Sequence, residues 1–204
     1  MKLEMRTRVF TALVAMLALA GCANQMEPAQ KALAEVESTL TEAATDAAKY
    51  VPDQLESVNA KLVELKAAFD RTDYKAVISG APALLAEAKS LAAAASAKKT
   101  EFMEALNGQW TALAAALPQQ VTEIENRLGV LDKTRRLPAG ITKDTVTNAK
   151  DGLEQAKALW NEATAAFGSG SLEEAVTKAN GVKARVDEIA SQLGIAPAAA
   201  PAVG

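Results

Sequence analysis

Cys22 is the only cysteine of the chain, and it follows Leu19-Ala20-Gly21 at the end of an apolar run from Val9 to Ala20. Lys2, Arg6 and Arg8 precede that run. Basic flank, short apolar core, small residues and cysteine in this order have the layout of a secretory signal, with Cys22 at the processing point. The run is too short to span a bilayer comfortably. Histidine is absent from the whole chain. Zinc sites need imidazole or thiolate ligands, carboxylate di-iron bundles need a Glu-x-x-His, and Ser-His or Cys-His nucleophiles need their base, so no such site is expected. No Gly-rich phosphate loop suggests a nucleotide site, and the expectation is a non-enzyme without metal or cofactor. A lone cysteine also leaves no disulfide, so stability must come from packing.

The remaining candidates are weaker. Trp110 and Trp160 are residue types that stack on a sugar or a planar ring, but both fall on apolar stripes, where a large side chain opposite small alanines is a core filler. Tyr50 and Tyr74 stand at helix ends, where a phenol buries its ring and wets its hydroxyl. Lys133, Arg135, Arg136 and Lys143 cluster around a loop at Pro138, a pattern that suits anionic lipid headgroups or acidic glycan, or simply a solvated loop. Glu123 with Glu125 and Glu173 with Glu174 lie on polar faces, with nothing to set them around a reacting bond.

The elements that must position these residues are helices. Apolar residues make up 50% of the chain and aromatics only 4%; alanine is roughly a fifth of it, far above ordinary usage. Such a composition favours helix. Apolar residues recur at alternating steps of three and four: Leu33, Val36, Leu40, Ala43 and Ala47, then Leu55, Val58, Leu62, Leu65 and Phe69 after a break at Val51-Pro52. A third stripe runs from Tyr74 through Val77, Ala81, Leu84, Ala88, Leu91 and Ala95 up to polar Ser96 to Thr100, with Gly80 and Pro82 expected to weaken its first turns. Phe102, Leu106, Trp110, Leu113 and Leu117 follow, and the pattern leaves open whether residues 82–117 form one helix or two. Pro118 is expected to kink or interrupt the path before Val121, Ile124, Leu128 and Leu131. After the loop at Leu137-Pro138-Ala139-Gly140 comes the longest stripe, Val146 to Phe167, closed by Gly168-Ser169-Gly170. Ser171 with Glu174 reads as a capping box opening a last helix that carries Leu172, Ala175, Ala179, Val182, Val186, Ile189 and Leu193 and stops at Gly194.

Two segments repeat. Leu55, Leu62 and Phe69 match Leu153, Trp160 and Phe167, and Ala76-Val77 matches Ala175-Val176 if one residue is inserted in the second turn. Each copy is a helix, a tight polar turn and a returning helix. Short turns force neighbours antiparallel, and three-four stripes imply shallow crossing angles. The expectation is an all-α, elongated antiparallel helical bundle of αα-hairpins with heptad-like packing. It divides into a signal peptide at 1–21, a lipidated linker at 22–30, a bundle domain at 31–193 with similar hairpins at about 52–95 and 144–193, and a disordered Pro/Ala tail at 194–204.

Leu19-Ala20-Gly21-Cys22 resembles the lipobox of bacterial lipoproteins, whose cysteine receives a diacylglycerol thioether and, after cleavage before it, an amide-linked acyl chain such as palmitate. An uncleaved anchor or an ordinary signal peptide with an incidental cysteine are the alternatives. What the resemblance implies is a membrane tether through lipid on Cys22, with two or three chains supplying the multiple signals that stable anchoring needs. Ala23, where aspartate would favour the inner membrane, implies an outer membrane location facing the periplasm. With 1–21 removed the chain keeps 19 cations against 24 anions, a net of −5, a poor balance for nucleic acid. The body is similar in composition to uncharacterised alanine-rich helical lipoproteins of Gram-negative envelopes, and the hairpins loosely resemble tetratricopeptide repeats without their full signature. The expected function is a lipid-anchored, non-enzymatic spacer, scaffold or adaptor, with another envelope protein as a possible partner. The alternative is a helical-repeat binding module that holds a partner helix or peptide in a groove between hairpins, with Trp110, Trp160, Arg135 and Arg136 as the candidate contacts.

Overall fold

The computed structural model describes residues 25–195, so Leu19, Ala20, Gly21, Cys22 and the tail at 196–204 lie outside the described residues. Five helices account for nearly all of the rest: α1 (Met26–Tyr50), α2 (Pro52–Asp70), α3 (Tyr74–Lys133), α4 (Lys143–Gly168) and α5 (Leu172–Gln192). Among the described residues there is no strand, and the chain is an all-α helical bundle protein. Helix α1 begins inside the segment expected to be a linker, because Glu27, Ala29, Gln30 and Lys31 are good helix formers and Ala29 is already fully buried.

The bundle domain expected at 31–193 is two compact units, divided between Glu101 and Phe102. The first unit holds α1, α2 and the first part of α3; the second holds the remainder of α3 with α4 and α5. Each has its own core. The reason lies in the stripe of α3. Its buried positions Val77, Ala81, Leu84, Ala88, Leu91 and Ala95 keep strict four-three steps, then residues 96–101 are all exposed, and burial resumes at Leu106, Trp110, Leu113 and Leu117. Continued three-four steps from Ala95 would reach position 105, so burial resuming at Leu106 is a one-residue slip in the heptad pattern. The run Ser96, Ala97, Lys98, Lys99, Thr100 and Glu101, exposed throughout, lies in that interval.

Within each unit the helices run up, down and up, as the cross-helix ion pairs record. In the first unit Lys66 meets Glu37 at 2.6 Å, Lys61 meets Glu87 at 2.6 Å and Lys99 meets Asp46 at 3.0 Å, one pair at each of the three seams. In the second, Lys150 meets Asp132 at 2.7 Å, Lys178 meets Glu162 at 2.7 Å, and the Arg127 side chain donates to the Leu193 carbonyl at 3.2 Å. All these ion-pair partners are solvated, so each pair contributes at most about 1 kcal/mol, and buried apolar stripes hold the units together. Among the described residues every buried side chain is apolar.

Residues 82–117 form one helix, and neither Pro82 nor Pro118 ends it. Both prolines are exposed, so the missing amide and the ring clash fall on the solvent side of α3 while its packed face continues. Gly80 serves packing: a Cβ there would stand 3.1 Å from Leu65 Cδ1 of α2. By length and composition α3 is the one described helix apolar enough to cross a membrane; its two buried stripes pack on α1 and α2, and on α4 and α5.

The hairpins α2–α3 and α4–α5 correspond without the expected insertion. The amide of Arg71 bonds to the Ala67 carbonyl, Thr72 to Phe69 and Asp73 to Ala68; Ser169, Gly170 and Ser171 repeat this on Ala165, Phe167 and Ala166. Every partner is displaced by 98 positions. Val77, Ala81, Leu84, Ala88, Leu91 and Ala95 map by the same shift onto Ala175, Ala179, Val182, Val186, Ile189 and Leu193, all buried. The turn needs one left-handed residue, filled by Thr72 at φ 62 in one copy and by Gly170 at φ 85 in the other. The capping box expected at Ser171 and Glu174 is absent, since Ser171 at ψ 65 is not extended and its side chain caps nothing. A box forms instead at Thr142, extended at ψ 168, with Thr145.

Candidate functional site

Two of the sequence candidates meet. Trp110 of α3 and Trp160 of α4 stack at 5.5 Å between ring centroids, and Phe167 of α4 covers the other side of Trp110 at 4.6 Å, both with planes 12° apart. Trp160 and Phe167 are seven residues apart, two helical turns or about 10.5 Å along the axis. The two stacking distances nearly fill that gap, so the indole of Trp110 is a wedge slotted between them. Trp110 is buried and Trp160 half-buried, whereas Phe167 is 43% exposed. The three-four spacing puts Phe167 on the buried stripe. Ala166 takes the interior place beside it, because a 3.6-residue period drifts from a strict heptad by the end of a 26-residue helix.

Arg135 and Arg136 stand far from the two tryptophans in chain order, with Lys133 and Lys143 at or near the 134–142 connection between α3 and α4. All four are exposed. Leu137 and Ile141 of the same loop are half-buried against the second core. The acidic pairs do not act together. Glu125 binds Lys157 at 2.7 Å and Glu174 approaches Lys178 at 3.6 Å. Lys157 is held above its ordinary pKa of 10.5 by the hydrogen bonds it donates, to Glu125 first and Glu154 second, and Lys178 is raised chiefly by the one it donates to Glu162.

Tyr74 packs edge-on to Phe69 at 5.2 Å, and Lys49 lies 5.5 Å from the ring centre of Tyr50. Two shallow grooves mark the first unit. One of about 390 Å³ runs along Lys61, Leu65, Gly80, Leu84 and Glu87; another of about 350 Å³ is lined by Gln30, Leu33, Glu37, Lys66 and Phe69. Glu87 and Glu37 are engaged by Lys61 and Lys66, while Glu64 and Asp70 also line the grooves. Among the described residues no three His, Cys, Asp or Glu side chains converge as metal ligands. One polar residue escaped sequence reasoning: Gln120 sits on the seam between Leu117 and Ile124, and its Oε1 is buried without a hydrogen-bond partner among the described residues. Its three-four spacing from those two positions was the available signal.

No protein-family model, curated protein or solved structure matches the chain.

Proposed function

We propose that this chain is a lipid-anchored, non-enzymatic lipoprotein of the bacterial cell envelope, a helical spacer or scaffold held at the outer membrane and facing the periplasm. The observation that carries the reading is Cys22 behind its leader, with α1 starting at Met26. Only Ala23, Asn24 and Gln25 separate the acylated residue from the bundle, a reach of no more than about 14 Å for extended chain. The anchor therefore connects almost directly to the first unit. The cores of both units support a passive structural role: among the described residues every fully buried residue is apolar, Gln120 Oε1 is a buried polar atom on the seam, and the ion pairs lie at the surface. The large exposed apolar side chains favour a spacer over a groove that receives a partner helix. Met26, Val63 and Phe167 lie on three different helices, and Met103 and Val130 are far apart on α3, so no continuous apolar strip follows one hairpin.

The test is Cys22→Ala. The native protein, taken from membranes, is expected to begin at residue 22 with the added mass of its acyl chains. The variant is expected to lack that mass and to retain its leader or be mislocalised. Unchanged mass and membrane retention in the variant overturn the proposal.

A further inference from the structure

We infer that the connection between α3 and α4 is a docking surface for phosphate-bearing anionic lipid headgroups. In the second unit Arg127, Lys150, Lys157, Lys178, Lys183 and Arg185 all have a hydrogen-bond or ion-pair partner. Lys133, Arg135, Arg136 and Lys143 have none among the described residues. The unit therefore pairs its cations everywhere except here, although its carboxylates outnumber its cations.

Joining two antiparallel helices does not require a loop of this length. In the first unit a single residue, Val51, carries the chain from α1 into α2, whereas the corresponding passage from α3 to α4 spends the nine residues 134–142. Lys133 in the last turn of α3 has a stabilising role at the negative end of that helix. Lys143 has the opposite placement. It is the first residue of α4, where a cation meets the positive end of the helix dipole and works against stability. Arg135 and Arg136 project from the loop with exposed Pro138 and half-buried Leu137 beside them. Guanidinium groups match phosphate oxygens with paired N–H donors. Exposed Pro138 beside the guanidinium groups suits a lipid–water interface better than a fully hydrated glycan, while Leu137 packs on the second core.

The surface acts independently of any lipid on Cys22, and the experiment removes that lipid. The processed chain, residues 22–204 with Cys22→Ser, is sedimented at low ionic strength with vesicles of phosphatidylcholine alone or mixed with phosphatidylglycerol. Binding is expected only to the anionic vesicles and is expected to vanish in high salt. Each cation near such a surface strengthens binding roughly fivefold, so Arg135→Gln with Arg136→Gln should weaken it roughly 25-fold. Lys183→Gln with Arg185→Gln makes the same change in net charge at paired sites on α5 and should leave binding within roughly twofold, below the effect of one surface cation. Circular dichroism checks that both variants stay helical. Equal binding to both vesicle types, equal loss in both variants, or loop-dependent binding to heparin with none to anionic vesicles overturns the inference. Since no acyl chain is present, failure here leaves the Cys22 reading intact, and failure of the Cys22 test leaves this one intact.

Discussion

At the residue scale the aromatic stack separates positions that look alike in sequence. Trp110, Trp160 and Phe167 all read as stripe residues, yet only Trp110 is enclosed, with one ring against each of its faces. Removing it should empty the slot between two turns of α4. Trp110→Ala is expected to cost about 3–5 kcal/mol, the range for large aromatic truncations in cores. Phe167→Ala loses one stacking face and a ring already 43% exposed, so a cost of about 1 kcal/mol is expected. Urea unfolding followed by circular dichroism measures both, and equal costs would mean that the stack does not rank the residues as its geometry does. Residue types and their period identified Trp110 and Trp160 as neighbours of a seam. They could not identify the wedge, which depends on the axial offset of two helices, a quantity that no single stripe encodes.

At the scale of elements, most helices were legible because their apolar steps are regular and their ends carry Pro, Gly or short polar turns. Proline inside α3 was harder to read. The local rule disfavours Pro118 in a helix interior, but burial at Leu113, Leu117 and Ile124 on the opposite side keeps the element continuous. The cost of the missing amide should still be present. Pro118→Ala removes no buried surface, restores a donor toward Ala114 and relieves the ring clash, so it should stabilise the protein by about 1–3 kcal/mol. A raised urea midpoint with unchanged slope is the expected result; a lowered one would show that the proline shapes the packing around Leu117. The paired hairpins give the complementary lesson. Their equivalence was visible in the apolar stripes, but its register was not, because Ala76-Val77 and Ala175-Val176 look alike one residue out of step. The turn hydrogen bonds, displaced uniformly by 98 positions, fix it.

At the scale of the whole molecule, the all-α class followed from composition and period, while the division into two units depended on a phase slip in α3 between Ala95 and Leu106 that a residue-by-residue stripe conceals. The division also localises the electrostatic prediction. Both lysines whose pKa is raised, Lys157 and Lys178, belong to the second unit, and in each the leading cause is a hydrogen bond to a glutamate across a seam with α4. A lysine whose folded pKa exceeds its unfolded value of 10.5 favours the folded state while it is protonated. That contribution is complete below pH 10.5 and disappears as pH climbs through the higher folded value. The second unit should therefore lose a small increment of stability on the alkaline side of 10.5. Arginine stays charged above pH 12, so Lys157→Arg with Lys178→Arg should flatten this alkaline decline while leaving neutral-pH stability nearly unchanged. Urea midpoints on either side of pH 10.5, read by the fluorescence of Trp110 and Trp160 within that unit, make the comparison. An identical decline in the double variant would show that the two lysines are not its source.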